Sequence, residues 1–113
     1  MRGTDFIGED SKLPVTSIKV TASQYVSTNE LYLFKNGKYV FLSGYLITSS
    51  DCPVFATLFT LPDGYKPVHP FSLKPFNSYQ TEWFFVNYAG EVANQIGTVT
   101  AGTRYFTAVY MAG

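Results

Sequence analysis

The chain has 113 residues, with eight basic and eight acidic side chains and a formal net charge of zero. Its length suits one domain of roughly 100–200 residues, and the basic residues are scattered, which argues against the basic face that nucleic-acid binding needs. Only 14% of the residues are charged and 46% are hydrophobic, against about 25% charged in ordinary soluble domains, so we expect another subunit to cover part of the surface.

The N-terminal region predicts an arm followed by an edge strand. Residues 1–13 are mostly polar and show neither helical nor strand periodicity, which indicates a flexible arm or the stub of a linker. A single domain is then predicted for residues 14–113. Between Val15 and Ala22 apolar and polar residues alternate, as is typical of a strand with one solvated face. A turn is expected next, around Ser27-Thr28-Asn29.

A hairpin is predicted around Asn36-Gly37, because an Asn-Gly pair between apolar strands favours a type I′ turn. Its two strands are Leu31–Lys35 and Lys38–Ile47. In this register Lys35 pairs with Lys38, and the two charges would stay solvated at the hairpin tip.

The second strand of this hairpin is apolar on both faces. One face carries Val40, Leu42 and Leu46, and the other carries Tyr39, Phe41, Tyr45 and Ile47. Two apolar faces predict burial on both sides, one inside the domain and one against a second surface. Gly44 interrupts the strand and would mark either a bulge or a close approach of the backbone.

The remaining sequence predicts strands at residues 54–61, 80–88, 91–96 and 103–111. Both faces of the strand at 54–61 are apolar, so we expect it to be central. Residues 68–76 contain two prolines and are expected to form an edge strand. About seven or eight short strands, with turn signals roughly every 8–12 residues and no helical period, predict an all-β fold, an antiparallel β-sandwich or jelly roll.

Leu61-Pro62-Asp63-Gly64-Tyr65-Lys66-Pro67 predicts a fixed corner that ends one strand and redirects the chain. Pro62 at the second position, followed by Asp63 and Gly64, favours a type I turn. Pro67 forces Lys66 into an extended conformation and cannot donate a backbone hydrogen bond, so the corner should lie at a sheet edge.

This corner resembles the Leu-Pro-x-Gly-Tyr-(Arg/Lys)-Pro corner of small C-terminal β-domains in bacteriophage tail-fibre, baseplate and receptor-binding proteins. The similarity extends from Leu31 to the end of the chain, through a strand after the corner, a turn at Gly90 and a closing strand. It implies a homotrimer that binds a host surface polysaccharide on its loops or in the cleft between subunits. It also implies assembly in the host cytoplasm, a place in the tail or baseplate of the virion, and other virion tail proteins as partners.

The sequence shows no sign of a membrane segment or an export signal. No apolar run reaches the roughly 18 residues of a membrane span, and the N-terminus lacks the charged-then-apolar layout of a signal peptide. We therefore expect a soluble protein without membrane insertion, which is compatible with virion assembly in the cytoplasm.

The residues offer little for catalysis, so we do not expect an enzyme. His69 is the only histidine, and a lone histidine beside prolines is more often structural or solvated than a general base. Neither a His/Cys metal spacing, a phosphate-binding glycine loop nor an acidic calcium loop is present, so no cofactor or metal is expected. Cys52 is the only cysteine, and we expect a buried structural thiol.

Saccharide binding suits this composition better, because sugar CH faces stack on aromatic rings and sugar hydroxyls need polar side chains. The candidate ligand-binding residues are aromatic or polar residues near predicted turns: Trp83, Tyr79, His69, Asp51, Asp63 and Arg104. Two of them have a clear alternative role. Trp83 would belong to the core or an interface, and Arg104 would pair with a nearby carboxylate.

Three functions therefore stay open at this point. The first is a phage tail-fibre or baseplate head domain that binds a host surface glycan non-covalently. The second is a structural or adaptor domain of the virion that trimerises and has no glycan site. The third is a tail-associated glycan hydrolase, although its acidic pair could form only through folding.

Overall fold

A computed structural model describes residues 17–76 and 82–113. These residues form a β-sandwich of two antiparallel sheets, which confirms the predicted all-β class. The predicted arm, and with it the start of the strand at Val15, lies outside the described residues. The strands are β1 (Ile18–Lys19), β2 (Thr21–Ala22), β3 (Val26–Asn36), β4 (Tyr39–Thr48), β5 (Thr57–Thr60), β6 (Phe71–Leu73), β7 (Phe84–Val86), β8 (Glu91–Asn94) and β9 (Gly102–Met111).

The first sheet has four strands in the order β1-β3-β4-β9, and the second has five in the order β2-β5-β8-β7-β6. Side chains from both sheets meet in one core. At its centre, the Phe106 ring from β9 meets Phe59 and Phe84 of the second sheet edge to face, at centroid distances of 5.6 and 5.7 Å. Edge-to-face contacts of this kind stabilise aromatic pairs beyond the area they bury.

The N-terminal strand is shared between the two sheets. Residues 18–19 pair with β3 in the first sheet, and residues 21–22 pair with β5 in the second. The chain changes sheets at Val20, which is buried and donates its N–H to the Leu31 carbonyl. A strand that changes sheets closes one side of a sandwich, because it leaves a single shared edge where two would be exposed.

The turn predicted at Ser27-Thr28-Asn29 is wrong, since these residues belong to β3. The chain turns earlier, at residues 23–25, where Val26 N–H donates to the Ser23 carbonyl. Asn29 carries a turn-like hydrogen bond inside the strand, because its Oδ1 accepts from the Leu31 N–H at 3.1 Å. Polar side chains that bond to nearby backbone produce the same sequence signal in a turn and in an irregular strand.

The predicted hairpin is present as β3 and β4, but its turn is shifted by one residue. Asn36 pairs with Tyr39, so the two turn residues are Gly37, with φ of 64°, and Lys38. Lys35 pairs with Val40, and the predicted pairing of Lys35 with Lys38 is therefore wrong. The positive φ falls on glycine alone among the turn residues, and glycine adopts it without steric cost.

The strand predicted at residues 54–61 is shorter than expected. It is β5, Thr57–Thr60, and it lies inside the second sheet between β2 and β8. Before it, residues 53–56 form a tight turn in which Ala56 N–H donates to the Pro53 carbonyl at 3.1 Å. An apolar run alone does not distinguish a strand from an exposed turn.

The corner after β5 is a turn of a different type from the one predicted. Its hydrogen bond runs from the Tyr65 N–H to the Pro62 carbonyl, so Pro62 occupies the first position. Gly64 has φ of 88°, which fits the third position of a type II turn and not of type I. Pro67 then bridges to Ala112 at the edge of the first sheet, as expected of a corner.

One hydroxyl ties this corner to the last strand. Tyr110 is buried and donates its hydroxyl to the Tyr65 carbonyl. Burial raises the pKa of Tyr110 well above its ordinary value, and the Tyr65 hydroxyl raises it further. The residues around Pro67 also lie along the edge of β9, where Val68 N–H donates to the Met111 carbonyl at 2.9 Å.

Gly44 marks a close approach of the backbone within the first sheet. It keeps a continuous register, pairing with Leu31 on one side and with Phe106 on the other, so it is not a bulge. Its φ is 135°, and a Cβ atom there would overlap the Glu30 carbonyl oxygen and lie 2.9 Å from the Leu31 Cα. Only glycine fits this position without moving β3.

Replacement of Gly44 by alanine should therefore destabilise the fold strongly. We expect Gly44→Ala to lower the free energy of unfolding by about 3 kcal/mol or more, because backbone overlap adds to the strain of a positive φ. Gly37→Ala is the matched control. Gly37 also has a positive φ but no atom within 4 Å of an added Cβ, so its cost should be only about 1–2 kcal/mol. Urea denaturation measures both, and equal losses would contradict the close approach.

Candidate functional site

The outward face of the four-stranded sheet is apolar and solvent-exposed in the single chain. Rows of paired residues cross it: Glu30, Tyr45 and Tyr105 form one row, and Phe34, Phe41 and Val109 form another. Val109 is 61% exposed and Tyr39 is 51% exposed. We call this surface the outer apolar face, which consists of Tyr32, Phe34, Tyr39, Phe41, Tyr45, Ile47, Tyr105, Val109 and Met111. It confirms that β4 has apolar side chains on both faces.

Charge is confined to one side of the outer apolar face. Lys19 and Glu30 form an ion pair at 3.5 Å, and both contact Tyr32: the ammonium lies 5.6 Å from the ring centroid, and the carboxylate accepts the tyrosine hydroxyl at 2.9 Å. The outward residues of β4 and β9 carry no charge at all. Contiguous exposed apolar surface of this kind marks an interaction site in soluble proteins.

A groove runs across β4 and β9 within this face. It has a volume of about 360 Å³, and its walls are the rings of Tyr45, Tyr105 and Phe76. The two tyrosine rings lie 5.6 Å apart, and Ser43 and Thr107 place hydroxyl groups at the groove. Gly44, which has no side chain, also lines it. The groove therefore offers ring faces and a few hydroxyls to an occupant.

The edge of β9 beside the groove is covered at two points. Phe76 N–H donates to the Tyr105 carbonyl at 2.6 Å, and Val68 N–H donates to the Met111 carbonyl at 2.9 Å. The segment between Val68 and Phe76 leaves β9 to form β6 in the second sheet. A long open edge can pair with strands of other chains. Because the β9 edge is covered at these points, contacts with another molecule are expected on the face of the sheet.

The outward face of the second sheet is different in character. Ser72, Phe85, Ala93 and Thr57 form one row across it. A second row consists of Thr21, Thr60 and Glu91. Hydroxyls and a carboxylate thus separate its apolar side chains. The outward face of the four-stranded sheet also carries the hydroxyls of Ser43, Thr103 and Thr107, but it has more large apolar side chains and no charge on β4 or β9.

The described candidate ligand residues do not converge on one site. Asp63 and His69 are exposed beyond the end of β9, where Pro67 bridges Ala112. Asp51 is exposed beyond the opposite end, where Cys52 bridges Val99. The ten residues of β9 separate these ends by about 33 Å. Asp63 is also held in an ion pair with Lys66 at 3.0 Å.

Trp83 lies half-buried just before β7, and its carbonyl accepts the Gln95 N–H at 3.1 Å. It has the same parity as the outward-facing Phe85, whereas Glu82, Phe84 and Val86 are buried. Tyr88, which the same alternation would bury, is instead 65% exposed in a turn. Tyr79 lies outside the described residues.

Arg104 is buried, and its guanidinium group forms an ion pair with a carboxylate. Its Nε and Nη2 donate to the two oxygens of Glu82 at 3.1 and 2.8 Å, and each side chain is only 10% exposed. Bidentate pairing of this kind is the strong, directional form of the arginine–carboxylate contact. The alternative role considered for Arg104, pairing with a carboxylate, is therefore the one that the structure contains.

A turn at residues 53–56 presents an exposed aromatic ring in a strained conformation. Phe55 has φ of 67° and is 71% exposed, and it is the only described residue other than glycine with a positive φ. A bulky residue in this region of backbone space costs about 1–3 kcal/mol. The neighbouring Val54 is 43% exposed. These residues continue an apolar run, so no local pattern marks them as a turn.

A buried asparagine holds this turn in place. Asn94 is fully buried, and its Nδ2 donates to the carbonyls of Cys52 and Gly97 at 3.2 and 2.6 Å. The Asn94 backbone also bonds to the turn. Its carbonyl accepts the Phe55 N–H at 2.7 Å, and its N–H donates to the Ala56 carbonyl at 3.0 Å. A buried polar group with this many partners fixes the surrounding loop.

The other chemical groups are accounted for within the described part of the chain. Cys52 is fully buried, as expected of a structural thiol, and burial raises the pKa of the thiol. In residues 17–76 and 82–113, no three His, Cys, Asp or Glu side chains come together in a way that could hold a metal ion. The same residues contain no helix that could cross a membrane.

The ion pair between Arg104 and Glu82 gives a stability test. Glu82→Ala should lower the free energy of unfolding by about 3–5 kcal/mol, because it leaves a buried guanidinium without its partner. The double variant Glu82→Leu/Arg104→Leu should recover most of the loss, since apolar residues often replace a buried pair at little cost. Urea denaturation measures both. A loss below about 1 kcal/mol for Glu82→Ala would show that the pair is solvated.

Comparison with known proteins adds no relative to this picture. No protein-family model matches the chain, and no curated protein sequence matches it significantly. Function is therefore inferred from the outer apolar face and the likeness of the corner residues.

Proposed function

We propose that this chain is a domain of a phage tail-fibre or baseplate protein that assembles into a homotrimer and attaches to a host surface glycan. The observation that carries the assembly is the outer apolar face, which has no charge across β4 and β9. Aromatic residues and methionine are enriched in protein interfaces and charged residues are depleted at interface centres. We take a second copy of the chain as the partner, because the likeness of the corner residues implies a homotrimer and an uncharged apolar surface is matched by another apolar surface.

The second half of the proposal, attachment to a glycan, is supported by the likeness of the corner residues Leu61–Pro67, which implies a saccharide ligand on the loops or in the cleft between subunits. Trp83 lies outside the outer apolar face and is half-buried, and an aromatic ring suits the CH face of a sugar. Three copies around one axis would repeat any weak site and so raise the overall affinity without new contacts. In this role the domain works in the tail of the virion, and its partners are other tail proteins and the host polysaccharide.

A second candidate function is a structural or adaptor domain that trimerises without binding a glycan. It is favoured by the separation of the candidate ligand residues, since Asp51 lies at one end of the sandwich and Asp63 and His69 at the other. Arg104 is moreover paired with Glu82. A glycan hydrolase has no comparable support.

Assembly through the outer apolar face is tested by a charge placed on it. Phe41→Lys should convert the oligomer to monomers in sedimentation velocity, because the lysine would be buried without a partner at the interface. Phe85→Lys is the matched control, since Phe41 and Phe85 are each 37% exposed but lie on opposite sheets. It should assemble normally. A monomeric unsubstituted chain, or normal assembly of Phe41→Lys, would contradict the proposal.

Attachment is tested by calorimetric titration of the assembled protein with cell-wall polysaccharide from candidate host bacteria. Saturable binding supports the attachment function, and its absence across the hosts supports the structural function. Shortening of the polysaccharide during incubation would instead indicate a hydrolase. Trp83→Ala tests the candidate residue: we expect binding to weaken about tenfold or more with assembly intact, as loss of a stacking contact predicts. If assembly is lost instead, Trp83 belongs to an interface.

A further inference from the structure

The Val54–Phe55 turn combines two features that the fold does not need. Its phenyl ring is 71% exposed, and its backbone has a positive φ although the residue is not glycine. The buried Asn94 holds this backbone through hydrogen bonds with Phe55 and Ala56. Glycine or asparagine would occupy this φ more favourably than phenylalanine. An exposed ring adds no core packing to compensate. The side chain at position 55 is therefore explained by a contact outside the single chain.

We propose that the Val54–Phe55 turn of one copy inserts its phenyl ring into the groove at Tyr45, Tyr105 and Phe76 of a second copy. This inference rests on the proposed assembly and specifies one of its contacts. In this assembly the protruding part is the Val54–Phe55 turn at the end of the sandwich, and the receiving part is the groove in the middle of the outer apolar face.

The groove has the size and chemistry that a phenyl ring requires. An engineered apolar cavity of about 150 Å³ is large enough to bind benzene, and the groove measures about 360 Å³. There is thus room for the phenyl ring and part of the Val54 side chain. Aromatic rings on the groove walls favour edge-to-face or offset contacts with an entering ring. Gly44 and Ser43 leave space where larger side chains would block it.

The rigidity of the turn also fits a contact role. A side chain that is already ordered loses little conformational freedom on binding, so more of its contact energy contributes to affinity. Asn94 provides that order through the hydrogen bonds to Cys52, Gly97, Phe55 and Ala56. Interfaces typically depend on a few aromatic residues that fill pockets. Phe55 is an exposed aromatic residue of this kind, and the turn at residues 53–56 carries no charge.

The contact would join different surfaces of the two copies. Such a heterologous contact forms a closed ring when the rotation between copies closes, and each copy then gives one ring and receives one. A contact between identical surfaces would instead produce a two-fold dimer. The insertion of Phe55 into a neighbour's groove is therefore compatible with the three-fold assembly of the proposed function.

Two single variants separate the protruding part from the receiving part. Phe55→Gly removes the ring and should raise the melting temperature of the monomer, because glycine relieves the positive φ. Ser43→Trp should fill the groove without disturbing the core, because Ser43 is exposed on the outer face. Each should weaken self-association at least tenfold in sedimentation over a concentration series. The matched controls are Tyr88→Asn, which removes another exposed aromatic ring, and Ser72→Trp, which adds tryptophan to the opposite sheet.

Mixing the two variants is the decisive measurement. Phe55→Gly keeps its groove and Ser43→Trp keeps its phenyl ring, so an equimolar mixture should form a one-to-one heterodimer at concentrations where each variant alone stays monomeric. A mixture that stays monomeric would overturn the inference, as would Phe55→Gly assembling like the unsubstituted chain. In that second case the assembly proposal survives, because the unsubstituted chain is still an oligomer. A monomeric unsubstituted chain would overturn both.

Discussion

The structure depends on a central strand, β4, that has apolar side chains on both of its faces. β4 is hydrogen-bonded along its length to β3 on one side and to β9 on the other. Its even-numbered residues, such as Leu42 and Leu46, are buried against the second sheet, and its odd-numbered residues face outward. A strand of this composition is stable between two covering surfaces. The second sheet is one of them, and the proposed neighbouring copy is the other.

Buried polar groups hold the loops to this framework. The pair between Arg104 and Glu82 connects β9 to the segment before β7, and Asn94 connects β8 to the loop after Cys52. Each group has its partners, which is the condition under which a buried polar side chain is tolerated. Because Asn94 bonds to the residues around Phe55, it also supports a backbone conformation that the turn would not adopt on its own. The strain at Phe55 therefore persists only while these hydrogen bonds are intact.

Local patterns in the sequence predicted the fold better than they predicted the site. Alternation grouped Val40, Leu42 and Leu46 on one face of β4, without showing which face is inward, and the Asn-Gly pair located the hairpin. The position of its turn was wrong by one residue because glycine takes a positive φ at either central position of a two-residue turn. The turn at Phe55 was missed because an apolar run has no period that separates it from a strand. The groove and the Arg104–Glu82 pair join residues far apart in sequence, and only the folded topology brings them together.

Because both faces of β4 are apolar, hydrophobicity alone would not fix its register against a one-residue slip, and Gly44 fixes it instead. A slip of one residue in a strand exchanges its two faces, and a buried face normally opposes this because polar residues would enter the core. In β4 the slip would replace Leu42 with Phe41 or Ser43, so hydrophobicity alone discriminates weakly. Gly44 adds a steric requirement, since a Cβ at its place would overlap the Glu30 carbonyl, and a slip would put Ser43 or Tyr45 there. The same glycine that keeps β3 and β4 close thus keeps the core residues inward and the outer apolar face outward.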